Sequence, residues 1–166
     1  MGGGKRLYKY GRVVVLLTGK YAGKKAVILK VLFDGSKERK FPHILVAGLA
    51  QSPKKVNKRM SEDKIAKRIR IKPFVKYVNM NHIMPTRYMA KPELDLSDVL
   101  RQFETQENIR KENTSKVSDP LTNEDFRKEL KTKVKRIMEK KYQQLELNAS
   151  DEASLKLKFL FKPLRF

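Results

Sequence analysis

The chain has 166 residues, with 39 Lys plus Arg against 18 Asp plus Glu, two His and no Cys, and its formal net charge is +21. That length supports one modest core with extensions rather than a large enzyme scaffold. The lack of Cys excludes a disulfide framework, a cysteine nucleophile and a thiolate zinc site. A compact body carrying this charge repels itself, so its natural counterpart is a polyanion.

The charge is unevenly spread. Residues 1–91 carry 23 basic and 4 acidic side chains, 92–125 carry 4 and 9, and 126–166 carry 12 and 5. The polyanion is therefore expected on the first part. The acidic stretch is expected to point away from it or to meet a basic neighbour.

In chain order, residues 1–12 (MGGGKRLYKYGR) form a basic, Gly-rich tail. A β-branched run at 13–17 is the longest unbroken apolar stretch, far short of the ~20 residues that cross a bilayer. With 26–33 and 44–49 it gives three short strands, with Asp34-Gly35 as a turn signal. SEDKIAKRIR (61–70) predicts a short helix capped at Ser61. Pro73 marks 71–78 as an edge strand, 82–89 adds another strand interrupted by Pro85, and the two could complete a small barrel. Weak helical spacing runs from 97 to about 113. Thr122 with Asp125 has the form of a capping box, and Phe126, Leu130, Val134, Ile137 and Met138 recur at helical steps over roughly 20 residues. Residues 148–154 break that pattern, and the end, LKLKFLFKPLRF, reads as a basic aromatic tail. The expected divisions are 1–12, 13–91 (β-barrel), 92–121 (acidic segment), 122–147 (basic amphipathic helix) and 148–166 (tail).

No enzyme constellation emerges. GKYAGKK (19–25) is not a P-loop, because three residues separate Gly19 from Gly23 and no Ser or Thr follows the lysines. Gly19 and Gly23 instead suit a strand-connecting turn that presents Lys20, Tyr21, Lys24 and Lys25 to a phosphate backbone. His43 and His82 lack a second imidazole at metal-ligand spacing, so neither a metal nor a cofactor is expected. Between 54 and 72 nine basic residues face two acids, which favours phosphate contact; Lys54, Lys55, Arg59, Lys64, Lys67, Arg68, Arg70 and Lys72 are the candidates, with Lys5, Arg6 and Arg12 before them and Lys135 and Arg136 on the long helix. Lys64, Lys67 and Arg68 share one helix face. Tyr8, Tyr10, Tyr21, Tyr88 and Phe166 are candidates for stacking on exposed bases.

Residues 13–31 (VVVLLTGKYAGKKAVILKV) resemble a KOW motif, with Gly23 at its fixed glycine. FPHILVAGL (41–49), PKKV (53–56), KIAKR (64–68), IKPFVKYVNMNHIMPTRY (71–88) and the terminal LRF are similar to the eukaryotic large-subunit ribosomal protein L27e family. The resemblance covers 10–90 almost continuously, then 126–142 and the last residues. It implies an SH3-like barrel plus a helical C-terminal extension, α+β overall, with a structural, non-catalytic role on large-subunit ribosomal RNA beside neighbouring ribosomal proteins. It implies a chain that is neither membrane-bound nor a homo-oligomer, cytoplasmic after nucleolar assembly. It adds His82, Arg87, Tyr88 and Arg165 to the RNA-facing set. The stretches 93–119 and 146–155 look longer than the family pattern. The alternative expectation is a KOW-type RNA-binding accessory module of a transcription elongation complex.

Overall fold

Five β-rich segments form one antiparallel sheet: β1 (Arg12–Leu16), β2 (Lys25–Leu32), β3 (His43–Gln51), β4 (Lys72–Asn79) and β5 (Ile83–Met89), in the order β4-β3-β2-β1-β5. The computed structural model describes residues 7–36, 38–57, 59–113, 119–147 and 152–164. A 3₁₀ turn, Met80–His82, carries the chain from one edge of the sheet to the other. Pro73 and Pro85 both lie in these edge strands, where a missing N–H breaks no central ladder. The expected α+β arrangement, with a β N-terminal part and a helical C-terminal part, is what the chain adopts.

The strands read as continuous apolar runs because both faces of the sheet are buried. Val14, Leu16, Ala26, Ile28, Ile44, Val46, Phe74 and Ile83 form the inner cluster. Their sequence neighbours Val13, Val27, Leu29, Leu45, Ala47 and Val75 point the other way, into a second cluster shared with the helices. The inner row runs Val14, Ala26, Gly48, Phe74 across four strands. Gly48 makes room for the large ring in that row, since a Cβ there would sit 2.5 Å from Phe74 Cζ.

The helices are α1 (Glu62–Ile69), α2 (Ser97–Asn113), α3 (Glu124–Leu147) and α4 (Glu152–Phe161). Phe103 of α2, Leu130, Val134 and Met138 of α3, and Leu157, Leu160 and Phe161 of α4 cover the outer sheet face. Each such fully buried side chain contributes about 1.5–3 kcal/mol. α1 buries no residue.

Two local expectations change. Asn123, not Thr122, caps α3, with Asn123 Oδ1 accepting from the Asp125 N–H at 3.0 Å. Thr122 closes the preceding 3₁₀ turn, Pro120–Thr122. The C-terminal segment, expected as a tail, contains α4. Its LKLKFLF run alternates like a strand, while Leu157, Leu160 and Phe161 also fit the three- and four-residue steps of a helix, and packing on the sheet selects the helix.

Candidate nucleic-acid interface

The β1–β2 loop is built on two glycines in the left-handed region, Gly19 at φ +82° and Gly23 at φ +71°. The Gly23 N–H donates to the Leu16 carbonyl at 2.7 Å, and the Ala22 N–H to the Gly19 carbonyl at 3.0 Å. This tight turn leaves Lys20 and Lys24 exposed. Tyr21 is turned inward instead, stacked on Phe74 with centroids 4.0 Å apart and planes 3° apart. It closes the end of the inner core, so one ring face is already covered. α3 brings more positive charge to this loop: the Lys131 pKa is lowered by burial first, then by repulsion from Arg127 and Lys20.

Lys25 leaves the RNA-facing set. It is buried, and its ammonium donates to the carbonyls of Phe159 (2.5 Å) and Lys162 (2.8 Å) at the end of α4. It also lies 3.6 Å from the centroid of the Phe159 ring. Burial, and then Lys162, push its pKa down to about 8. Its role is to satisfy helix-end carbonyls that otherwise have no intrahelical partner.

The basic stretch 52–72 keeps its cations outward. Lys54, Lys55, Arg59, Lys64, Lys67, Arg70 and Lys72 are exposed, and none makes an ion pair among the described residues. Arg68 departs from the expected phosphate-tracking row with Lys64 and Lys67. Its Nε donates to the Lys55 carbonyl at 3.0 Å, while the Lys54 N–H donates to the Arg68 carbonyl at 2.9 Å. The exposed helix α1 and the loop before it are thereby clamped together.

His82 and Arg87 are exposed. Tyr88 stacks on Phe159 with centroids 4.2 Å apart, and Arg87 lies 5.3 Å from the Tyr88 ring, so this tyrosine belongs to a packed column rather than to an open stacking platform. Tyr10 is likewise committed: its hydroxyl donates to Asp95 Oδ1 at 2.8 Å and accepts from the Leu96 N–H at 3.2 Å, and burial with Asp95 pushes its pKa up to about 12. Tyr8 packs half-buried against the inner cluster. Arg12 is half-buried, with a buried Nε that has no hydrogen-bond partner among the described residues. On α3, Lys135 pairs with Glu139 at 3.7 Å and Arg136 is exposed. Lys5, Arg6, Lys58, Arg165 and Phe166 lie outside the described residues.

The acidic segment meets basic neighbours on the sheet. Lys30 reaches Glu107 at 2.9 Å and Glu104 at 3.6 Å, both on α2. Arg39 Nη2 donates to Asp119 Oδ2 at 2.6 Å, with its guanidinium 4.7 Å from the Tyr77 ring. The acidic segment thus neutralises one part of the strongly basic half, and among the described residues no ion pair reaches the loops around Lys20–Lys24 and 52–72.

Residues 13–166 match the ribosomal L27e protein family. The chain belongs to that family. It is 45% identical over 161 residues to large ribosomal subunit protein eL27 of Tetrahymena thermophila, covering 97% of this chain and 99% of that protein. It is 40% identical over 138 residues to large ribosomal subunit protein eL27 of Candida albicans, covering 83% and 89%. The L27e family is a family of structural ribosomal proteins, not of enzymes. The near-complete coverage of both chains means that the overall length is not peculiar to this chain.

Residue-level reading of the sequence missed Tyr142, Lys158 and Lys162. With Lys24, Lys54, Lys55 and Arg68 they line a concave groove of about 1090 Å³. The signal was the helical spacing of Leu157, Leu160 and Phe161, which places Lys158 and Lys162 on an ordered helix end. Among the described residues no cluster of three His, Cys, Asp or Glu could hold a metal, and no helix is long and apolar enough to cross a membrane.

Proposed function

We propose that this chain is a structural constituent of the large ribosomal subunit that binds and stabilises folded ribosomal RNA through solvent-facing cations. The observation that carries the reading is the set Lys20, Lys24, Lys54, Lys55, Lys64 and Lys67, without an ion pair among the described residues and exposed on tight loops and a short helix, in a chain of the L27e family. These side chains neutralise phosphates and fix register, without reading bases. Arg59, Arg70, Lys72, His82, Arg87 and Arg136 extend the contact surface, and Lys5, Arg6 and Arg165 extend it through the termini. Lys30 holds the acidic helix and Arg39 holds Asp119 before the Pro120–Thr122 turn, so neither is a contact. The chain works as one copy beside other ribosomal proteins, in the cytoplasm after passage through the nucleolus.

The test is sedimentation. The tagged protein is expected to remain with the large subunit through a high-salt wash. Recovery only in the free pool, or with RNA polymerase subunits, would overturn the proposal.

A further inference from the structure

The cationic groove at the foot of α3 and α4 has a composition that plain phosphate tracking does not need. Among the described residues six cations line it, Lys24, Lys54, Lys55, Arg68, Lys158 and Lys162, and no Asp or Glu does. Between them lies an apolar surface of Tyr142, Leu145, Phe161 and Pro163. Tyr142 is half-buried, and its ring meets that of Phe161 with centroids 5.3 Å apart and planes at 60°.

Both walls are fixed before any ligand arrives. The Lys54–Arg68 and Arg68–Lys55 hydrogen bonds lock one wall. Lys25 locks the other, from beneath, by holding the Phe159 and Lys162 carbonyls. Preorganised cations lose less entropy when they are used.

We infer that this groove receives a short single-stranded RNA segment with unstacked bases, one base lying against Tyr142 and the flanking phosphates on Lys54, Lys55 and Lys162. The inference rests on the ribosomal-RNA reading and narrows it. An aromatic surface flanked by cations is the arrangement that holds single strands, because a base offers a π-face and its backbone offers charge. A volume of about 1090 Å³ lies at the upper end of small-ligand pockets, which suits more than one nucleotide. A continuous A-form duplex keeps its bases stacked inside and would reach only the rim lysines. An acidic peptide would meet the cations but has no need of the aromatic surface.

The test uses the full chain and three fluorescent probes: a hexauridylate containing 4-thiouridine, an abasic ribose-phosphate strand of equal length, and an A-form RNA duplex. Tyr142→Leu is expected to weaken hexauridylate binding about tenfold, since stacking contributes ~1–3 kcal/mol per base, while leaving the abasic strand and the duplex within twofold. Tyr142→Phe should retain wild-type affinity, which keeps the test valid if the Leu variant unfolds. The thiouridine should crosslink to the peptide that carries Tyr142. Equal losses on all three probes, no loss on hexauridylate, or displacement of hexauridylate by hexaglutamate at equal concentration would each overturn the groove assignment. If the duplex still binds with steep salt dependence in such a case, the broader RNA reading survives. If no RNA probe binds, both fall.

Discussion

Two sets of cations, on the strands of one sheet and the loops around it, are turned in opposite directions. Lys25, Lys30 and Arg39 are turned toward the protein: onto helix-end carbonyls, onto Glu104 and Glu107, and onto Asp119. Lys20, Lys24, Lys54 and Lys55 are turned toward solvent and make no ion pair among the described residues. Lys24 and Lys25 are adjacent in sequence yet fall into different sets: Lys24 ends the exposed loop, while Lys25 begins β2 and points with Val27 to the face covered by the helices. Net charge names the class of partner. Burial and local hydrogen bonding decide which lysines can reach it.

The comparison can be broken first at the core that separates the two sets. Phe74→Ala removes a fully buried ring and the platform under Tyr21. It should cost about 3–5 kcal/mol in denaturant unfolding. A loss below about 1 kcal/mol would mean that the loop is not supported by the inner core.

Lys25→Met should cost about 1–3 kcal/mol, because two buried carbonyls lose their donor, while the salt dependence of RNA binding stays unchanged. The same residue gives a pH signature. Its folded-state pKa of about 8 lies below the ordinary 10.5, so the unfolded chain binds the proton more tightly. Stability should therefore rise from about pH 8 toward 10.5 relative to the Lys25→Met variant, and the difference should be flat below pH 8. A fall over that window would show that the carbonyl bonds hold the ammonium more strongly than burial disfavours it.

Gly23→Val tests the loop that displays the outward set. At φ +71° an added Cβ meets nothing within 4 Å, so the cost is backbone strain alone, about 1–2 kcal/mol. Gly23→Asn should cost less, since Asn tolerates the left-handed region. Equal losses for Val and Asn, measured by thermal unfolding, would point away from strain.

The smallest stability effect is expected from Lys135→Ala. Its pair with Glu139 is a surface i,i+4 contact worth about 0.3–0.5 kcal/mol.

Much of the fold was legible in the residues. Apolar β-branched runs, Asp34-Gly35 and the edge-strand Pro73 marked the strands, and Phe126 to Met138 marked the long helix. The inward turn of Lys25 was not legible, because its partners are carbonyls more than 130 residues away and carbonyls leave no mark in a sequence. Tyr10, Tyr21 and Tyr88 were legible as aromatics near basic residues, but not as rings already bonded to Asp95 or stacked on Phe74 and Phe159. The groove was invisible for a related reason: its walls come from 52–55, α1, α3 and α4, which only the tertiary fold brings together.

The most direct measurement is the slope of log affinity against log salt for a folded ribosomal RNA fragment. It should be taken with wild type, with Lys20, Lys24, Lys54 and Lys55 all changed to Ala, and with Lys30 and Arg39 changed to Met. At about 0.7–0.9 per phosphate contact, the four outward changes should reduce the slope by about 3, with the unfolding midpoint unmoved. The two inward changes should lower stability and leave the slope as it is. Equal slope losses in both variants would contradict the division of the cations into one set that binds RNA and one that holds the fold.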